Sequence, residues 1–352
     1  MKFVNISSEE FCRFAVVSPY KSFMQTPEIA KLRETSGWTA HYVAAKDSKD
    51  RILAASMLVS KPTFLKKRLF YAPGGPLLDL EDKKLTIFFF QHLRDYIEQH
   101  HGYSLQIDPY YELVERDRNG DLVPGGFNHE DALETLKSIG FKPIKDTTQP
   151  KYLFALDLDH RTPDELFASF KQNTRNLISR TKRNGVVVRE LEKNELPLFK
   201  KITESTSERR GFTDRSISYY EQMYDLFHKS GEVKFIVAET TVLLSTAMFM
   251  LYGNEVIYLF SGSDKKYMKE YNAQYAIQWY MIKYAAEHGF KRYNFYGIQG
   301  LPDPSKKDYG IYLFKKGFGG QVIELIGSFE LPISKMYYLH QLLSKTKGVI
   351  KK

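Results

Sequence analysis

Lys171, Arg175 and Lys182 fall on one face if DELFASFKQNTRNLISRTKRNG is helical, with Arg180 and Arg183 close by. Cations at that spacing either track the phosphates of a nucleic acid, with binding that weakens steeply as salt rises, or form a solvated helix face. Both readings stay open at this point. Other chemistry has fewer candidates. The sequence holds no Walker A loop, no G-x-G-x-x-G after a strand, no H-E-x-x-H and no paired C-x-x-C, so it gives no warrant for ATP, a dinucleotide or zinc. The cluster GFGG from Gly317 reads as a helix-ending turn rather than a phosphate cradle. Cys12 is the only cysteine, which excludes an internal disulfide and a multi-thiolate metal site.

These residues sit in a chain of 352 with 43% apolar and 26% charged residues, the balance of a globular protein with two cores. A net charge of +9 attracts polyanions: nucleic acid, nucleotide phosphates or anionic lipid. The apolar runs at Ile87–Phe90 and Val242–Leu251 are too short or too polar at their flanks for the ~20 residues of a membrane span. Ser7, Ser8, Glu9 and Glu10 occupy the place of a signal peptide's apolar stretch, so no export signal is expected.

The elements that must position the candidates repeat. HYVAAKDSKDRILAASMLVSK reads as two strands across a charged turn, with a third strand around RLFYAPGGPLLDL. A helix from about Leu85 to Glu98, the strand YSLQIDP and a short helix ending at Gly140 follow. The order recurs as KFIVAETTVLLSTAMFMLYG, EVIYLFSGS, the helix YNAQYAIQWYMIKYAAEHGF, the strand KRYNFYGI and the helical turn YLFKKGFGG. This predicts a duplicated mixed α/β architecture: residues 1–150 with a C-terminal helix at 330–352 as one domain, 151–329 as the other. PKYLFALDLDH reads as the extended joint, one helix is expected from Pro163 to Gly185, and another near Ser216 to Phe227.

YAPGGPLLD at Tyr71–Asp79, IDP around Asp108, FTDR before Arg215, YNFYGI at Tyr293–Ile298 and FKKGFGG from Phe314 together resemble the FemABX peptidoglycan-bridge aminoacyltransferases, over essentially the whole chain. The resemblance implies two GNAT-like domains in tandem and transfer of an amino acid from aminoacyl-tRNA to a cell-wall precursor. Longer members carry a helical coiled-coil arm in the second domain; here LFHKSGEVKFIVAE passes directly from helix to strand, so no arm is expected. Neither copy has the glycine-rich loop that acyl-CoA enzymes of the GNAT fold place before the central helix, which counts against an acetyl-CoA donor.

Roles for single residues follow from the resemblance. Lys315 matches the family lysine beside the site of transfer, where a cation stabilises developing negative charge or binds the tRNA terminal phosphate, and Phe314 packs beside it. Asp108 matches a position near the acceptor, where a carboxylate holds the acceptor ammonium or acts as base; its other reading is a cap for the turn after the strand. Lys31 and Arg215 match residues that hold a nucleotide diphosphate, with Tyr219 and Tyr258 adding hydroxyl contacts or simply packing. An aminoacyl ester is already activated, so no metal and no cofactor is expected. The implied partners are aminoacyl-tRNA and either UDP-MurNAc-pentapeptide or lipid II, with peripheral contact to anionic inner-membrane lipid, at the basic tail, if the acceptor is lipid-linked. The implied location is cytoplasmic. A FemABX-like protein that binds precursor or tRNA without catalysis is the competing expectation, and a tandem acyl-CoA transferase a weaker one.

Overall fold

A computed structural model describes residues 1–145, 149–339 and 342. The chain divides into two compact units: Met1–Glu115 with Pro124–Lys151 and the chain from Glu324, and Arg116–Val123 with Tyr152–Ile323.

Each unit runs through one order of elements: a strand, two helices, three strands, a helix and a strand. In the first unit these are Lys2–Asn5, the helices Ser8–Val17 and Pro27–Glu34, the strands Thr39–Lys46, Ile52–Pro62 and Arg68–Ala72, the helix Lys83–Gln99 and the strand Gly102–Ile107. In the second they are Val187–Glu190, Leu196–Arg210, Ile217–Phe227, Val233–Glu239, Leu243–Tyr252, Glu255–Ser263, Ala273–Glu287 and Arg292–Ile298. The first four strands pair antiparallel and the fifth joins the fourth in parallel, in both. A side-chain detail repeats too. Near the end of the long helix the imidazole Nδ1 of His100 meets the Tyr96 carbonyl at 2.8 Å, and that of His288 meets the Tyr284 carbonyl at 2.8 Å.

Both long helices cover their sheets with an apolar stripe at helical spacing. Leu85, Phe89, Phe90, Leu93 and Ile97 are buried on one, and Ala276, Ile277, Met281, Ile282 and Ala285 on the other. Asp82 starts the first helix by accepting from the Leu85 N–H at 2.9 Å. Burying each large side chain contributes about 1.5–3 kcal/mol, which locks helix to sheet.

The sixth strand of each sheet is borrowed from elsewhere in the chain. Phe329–Pro332 pairs antiparallel with Gly102–Ile107, while Tyr152–Asp157 pairs antiparallel with Arg292–Ile298. The segment expected as an extended joint is thus a strand in the middle of a sheet. The single helix expected from Pro163 to Gly185 is two, Pro163–Ser169 and Gln172–Arg183. Phe170 and Lys171 are extended between them (ψ 153° and 142°). Burial of Phe170 against Trp279 and Phe318 favours the break, and the Lys171 N–H donates to the Gly317 carbonyl at 2.9 Å. Lys171 therefore caps the second helix and does not share a helical face with Arg175 and Lys182, a correction to the predicted stripe.

The tail helix expected over 330–352 does not begin there, since Phe329–Pro332 is strand; residues 336–339 are helical, whereas 340, 341 and 343–352 lie outside the described residues. Among the described residues no helix is long and apolar enough to cross a membrane. Helix Ile217–Phe227 leads within a few residues into strand Val233–Glu239, with no arm between them.

Candidate active site

Asp108 follows the strand Gly102–Ile107 and is only 9% exposed. Its Oδ1 accepts from the Gly74 N–H at 2.5 Å and its Oδ2 from the Tyr71 hydroxyl at 2.5 Å. Burial pushes the carboxyl up to about 7, against the pull of the Tyr71 hydroxyl, the Gly74 N–H and the Arg33 guanidinium. Tyr71 is itself pushed up, by burial and then by the Asp108 charge.

The loop that supplies Gly74 is braced from behind. The Gln25 amide, fully buried, donates to the carbonyls of Met57 at 2.9 Å and Pro73 at 2.8 Å and accepts from the Met57 N–H at 2.9 Å. Gly74 has φ +64°, and a Cβ there would meet Met24 Cβ at 2.8 Å, so a glycine is needed. With both oxygens engaged, Asp108 binds the loop after the fourth strand to the end of the fifth. Arg33, whose Cζ lies 5.9 Å from the Tyr71 ring centre, sits on the helix Pro27–Glu34 that also carries the exposed Lys31.

In the second unit the ionisable centre is an amine. Lys315 lies in helix Tyr309–Lys316 and is 4% exposed. Its Nζ donates to the carbonyls of Tyr296 at 3.1 Å and Gly297 at 2.6 Å. No carboxylate pairs with it among the described residues, and burial alone lowers the amine to about 7.

The two carbonyls point at the amine because the strand is irregular there. Its register against Tyr152–Asp157 shifts between Asn294 and Gly297, and Tyr296 has φ +62°, a left-handed conformation costly for a tyrosine. The buried Asn294 side chain holds it by accepting from the Tyr296 N–H at 2.8 Å. Pairing with the parallel strand Glu255–Ser263 ends at Ile257 opposite Asn294, although both strands continue. The helix carrying Lys315 is clamped on its other sides. Phe314 packs edge-on against Tyr275 (4.9 Å) and Phe318 (5.5 Å). The Tyr312 hydroxyl donates to the Arg118 carbonyl at 2.9 Å and Lys316 Nζ to Asn119 Oδ1 at 2.6 Å, so Lys316 is a surface anchor.

Arg215 and Tyr219 come together, the guanidinium carbon 5.3 Å from the ring centre. The preceding Asp214 fixes the FTDR turn by accepting from Lys200 (2.9 Å), Thr203 (2.8 Å) and Tyr220 (2.6 Å). Tyr258 does not join them. Its ring packs on Phe249 and its hydroxyl donates to Ser261 Oγ at 2.5 Å, whereas Tyr219 packs on Phe260. Arg175 is turned back on its own chain, donating at 2.6 Å to the carbonyls of Ala168 and Phe170; Lys182 stays exposed in the last helical turn.

Sequence reasoning missed Tyr71, Arg33 and Asn294 as supporting residues. The motifs YAPGGPLLD and YNFYGI contained two of them; Arg33 had a weaker signal in Thr26-Pro27, a helix start that marks its helix.

A model of the FemAB family matches residues 6–243 and 237–345. The aminoacyltransferases FemA of Staphylococcus aureus (strain MRSA252) and Staphylococcus epidermidis are 27% and 28% identical, each covering 99% of this chain and 100% of the relative. The first alignment spans 421 positions, more than this chain's 352 residues, so that relative holds segments absent here. Among solved structures, FemX superposes with a TM-score of 0.83 at 23% identity, over 96% of this chain and 99% of that one. A tandem GNAT protein from the clavulanic acid biosynthesis pathway superposes at 0.56 with 10% identity, over 95% and 98%. The duplicated units are thus a tandem GNAT fold without a coiled-coil arm. With matched motifs spanning both units and a FemA-like sequence from end to end, the chain belongs to the FemAB family and is an aminoacyltransferase.

Proposed function

We propose that the protein builds peptidoglycan bridges, moving a small amino acid (glycine, alanine or serine) from aminoacyl-tRNA to the lysine side-chain amine of a stem-peptide precursor. The observation that carries this reading is the Lys315 amine, buried with no carboxylate partner among the described residues at an irregular strand in a FemA-like chain. The donor ester is already activated, so the enzyme has to align it, stabilise a tetrahedral oxyanion and manage protons. In the second unit Lys315 and Phe314 serve the transfer; in the first, Asp108 holds the loop after the fourth strand. In the second unit Arg215 and Tyr219, which lie together, contact the precursor's diphosphate, Arg by bidentate hydrogen bonds; in the first unit the exposed Lys31 is a separate cation for phosphate. Tyr258, with its hydroxyl bonded to Ser261, lends shape rather than a phosphate contact. Lys182, exposed in its helix, meets tRNA phosphates, supported by Lys171 at the cap. A lipid-linked precursor places the reaction at the inner face of the membrane, a UDP-linked one in the cytoplasm.

The test is transfer of radiolabelled amino acid from a charged tRNA pool to UDP-MurNAc-pentapeptide and, in parallel, to lipid II. Label in either product, sensitive to ribonuclease treatment of the donor, is the expected result and names donor and acceptor. Binding of precursor with no label in either product would favour a non-catalytic role.

A further inference from the structure

We infer that one end of the first unit docks on an anionic lipid bilayer, with the turn at residues 63–67 setting the Leu65 side chain among the headgroups and the lysines around it against lipid phosphates. This goes beyond the transfer reading, since the surface lies away from Asp108 and its binding is measured with neither tRNA nor precursor present.

The turn closes the hairpin between the strands Ile52–Pro62 and Arg68–Ala72, and the Thr63 N–H and hydroxyl both donate to the Lys67 carbonyl, at 2.7 and 2.9 Å. Leu65 (φ +51°) and Lys66 (φ +57°) are both left-handed, a conformation that residues with side chains rarely adopt. Packing does not offset the cost: Leu65 is 72% exposed. An apolar side chain held outward at a hairpin tip is stabilised where the medium beyond the protein is itself apolar.

The charge around it is of one sign. From Arg51 to Leu78 the sequence has Arg51, Lys61, Lys66, Lys67 and Arg68 and no Asp or Glu. Arg68 is tied into the fold, donating to Ser60 Oγ at 2.9 Å and to Thr39 Oγ1 at 2.8 Å. Lys66 is exposed at the tip, and Lys61, exposed on the strand below it, has its Nζ 5.8 Å from the Trp38 ring centre. Rings, alkyl stems and ammonium groups together suit the boundary between acyl chains and headgroups, where aromatic rings settle and lysine stems lie along apolar surface with their charge in water.

The C-terminal chain leaves the sheet at the same end. Phe329–Pro332 runs antiparallel to Gly102–Ile107, with Pro332 opposite Ser104, and the N–H groups of Ile333 and Ser334 donate to the Tyr103 carbonyl at 3.0 and 3.3 Å. Arg68, at the foot of the turn, lies opposite Gly102, whereas Asp108 follows the far end of that strand. Beyond Ser334, Tyr338 is 58% and Leu342 62% exposed, and Lys142 Nζ lies 5.3 Å from the Tyr338 ring centre. From Leu331 to Lys352 the sequence has five lysines and no Asp or Glu. A nucleic acid would attract these cations too, but a phosphate chain gives an outward leucine no partner; a bilayer presents phosphate and hydrocarbon at one surface.

The experiment is co-sedimentation of the full chain with vesicles of phosphatidylglycerol and phosphatidylcholine in equal parts, and with phosphatidylcholine alone. Binding to the mixed vesicles is expected to weaken as salt rises and to exceed binding to phosphatidylcholine alone by about 10-fold or more. Lys66→Gln combined with Lys67→Gln should cost about 5-fold in affinity per lysine. Leu65→Asn, a residue that tolerates the left-handed turn, should cost about 10-fold. Lys229→Gln combined with Lys265→Gln removes the same charge from exposed positions of the second unit and should cost about 2-fold at most. Bromine on the acyl chains should quench the emission of Leu65→Trp more than that of the wild type, which has only Trp38 and Trp279. No binding to the mixed vesicles, equal losses in the two lysine pairs, wild-type affinity in Leu65→Asn, or no added quenching would each overturn the inference. Loss of tRNA binding instead of vesicle binding in the Lys66→Gln, Lys67→Gln variant would reassign the surface to nucleic acid and overturn it as well.

Discussion

At the end of the fifth strand the two units solve opposite problems with the same materials. The first buries a carboxyl and surrounds it with donors, Tyr71 and Gly74; the second buries an amine and surrounds it with acceptors, the carbonyls of Tyr296 and Gly297. In the first the fourth and fifth strands stay paired to Ala72 opposite Ile107, so the carboxyl closes a finished edge. In the second, pairing stops at Ile257 opposite Asn294, and the amine sits where the strands have parted. Duplication supplied the scaffold, and the difference in pairing separated a carboxyl that ties a loop from an amine held by strand carbonyls where pairing has stopped.

The largest effect expected from this contrast is on stability against pH. The folded carboxyl of Asp108 titrates at about 7 instead of 3.8, so between those values the native state holds the extra proton and stability falls as pH rises. The folded amine of Lys315 titrates at about 7 instead of 10.5, so above 7 the unfolded state holds the extra proton and stability rises with pH. Each window is worth at most about 5 kcal/mol at about 1.36 kcal/mol per unit. Denaturant melts of Asp108→Asn and Lys315→Met across pH 4 to 10 should each flatten one limb and spare the other; a variant that flattens both would show that the groups are not independent.

Asn294→Ala comes next. It removes the acceptor that holds the Tyr296 N–H, and a loss of about 1–3 kcal/mol is expected from the unsatisfied buried donor, read by thermal melting, with transfer slowed as the carbonyls lose their aim. Tyr71→Phe, the matching change in the first unit, should cost about 1–2 kcal/mol. It should also move the Asp108 midpoint upward, because a group that favours the charged form is gone; a downward move would reverse the assigned cause. The smallest effect is Lys171→Ala, expected within about 0.5 kcal/mol of wild type, since this exposed cap makes no side-chain cap hydrogen bond. A larger loss of tRNA affinity in Lys171→Ala than in Lys182→Ala would restore the stripe that the helix break removes.

Much of the scaffold was legible because it is local. The hairpins, the Gly140 finish and the long helices have periodicity and end signals within a few residues of themselves. The break at Phe170–Lys171 was not, since nothing nearby disfavours a helix; the ring of Phe170 is drawn into a core built by Trp279 and Phe318, distant in sequence. The borrowed strand Phe329–Pro332 was hidden for the same reason, being too short to signal itself without its partner. Family-like motifs drew attention to Lys315 and Asp108, but their burial is a property of the assembled fold. YLFKKGF gives no sign that the first of its two lysines is interior and the second a surface anchor.

The borrowed strand also sets an order of events during synthesis. Emerging from the ribosome, the first unit has its long helix and five strands early, but the edge of Gly102–Ile107 stays unpaired until Phe329–Pro332, encoded after the whole second unit, is released. The unit encoded second can close its sheet before the one encoded first. During that interval the nascent chain carries an open strand edge, the kind of surface that recruits chaperones or pairs wrongly with another copy. Expression yield should therefore suffer more from weakening this final strand than from equal damage to an interior one.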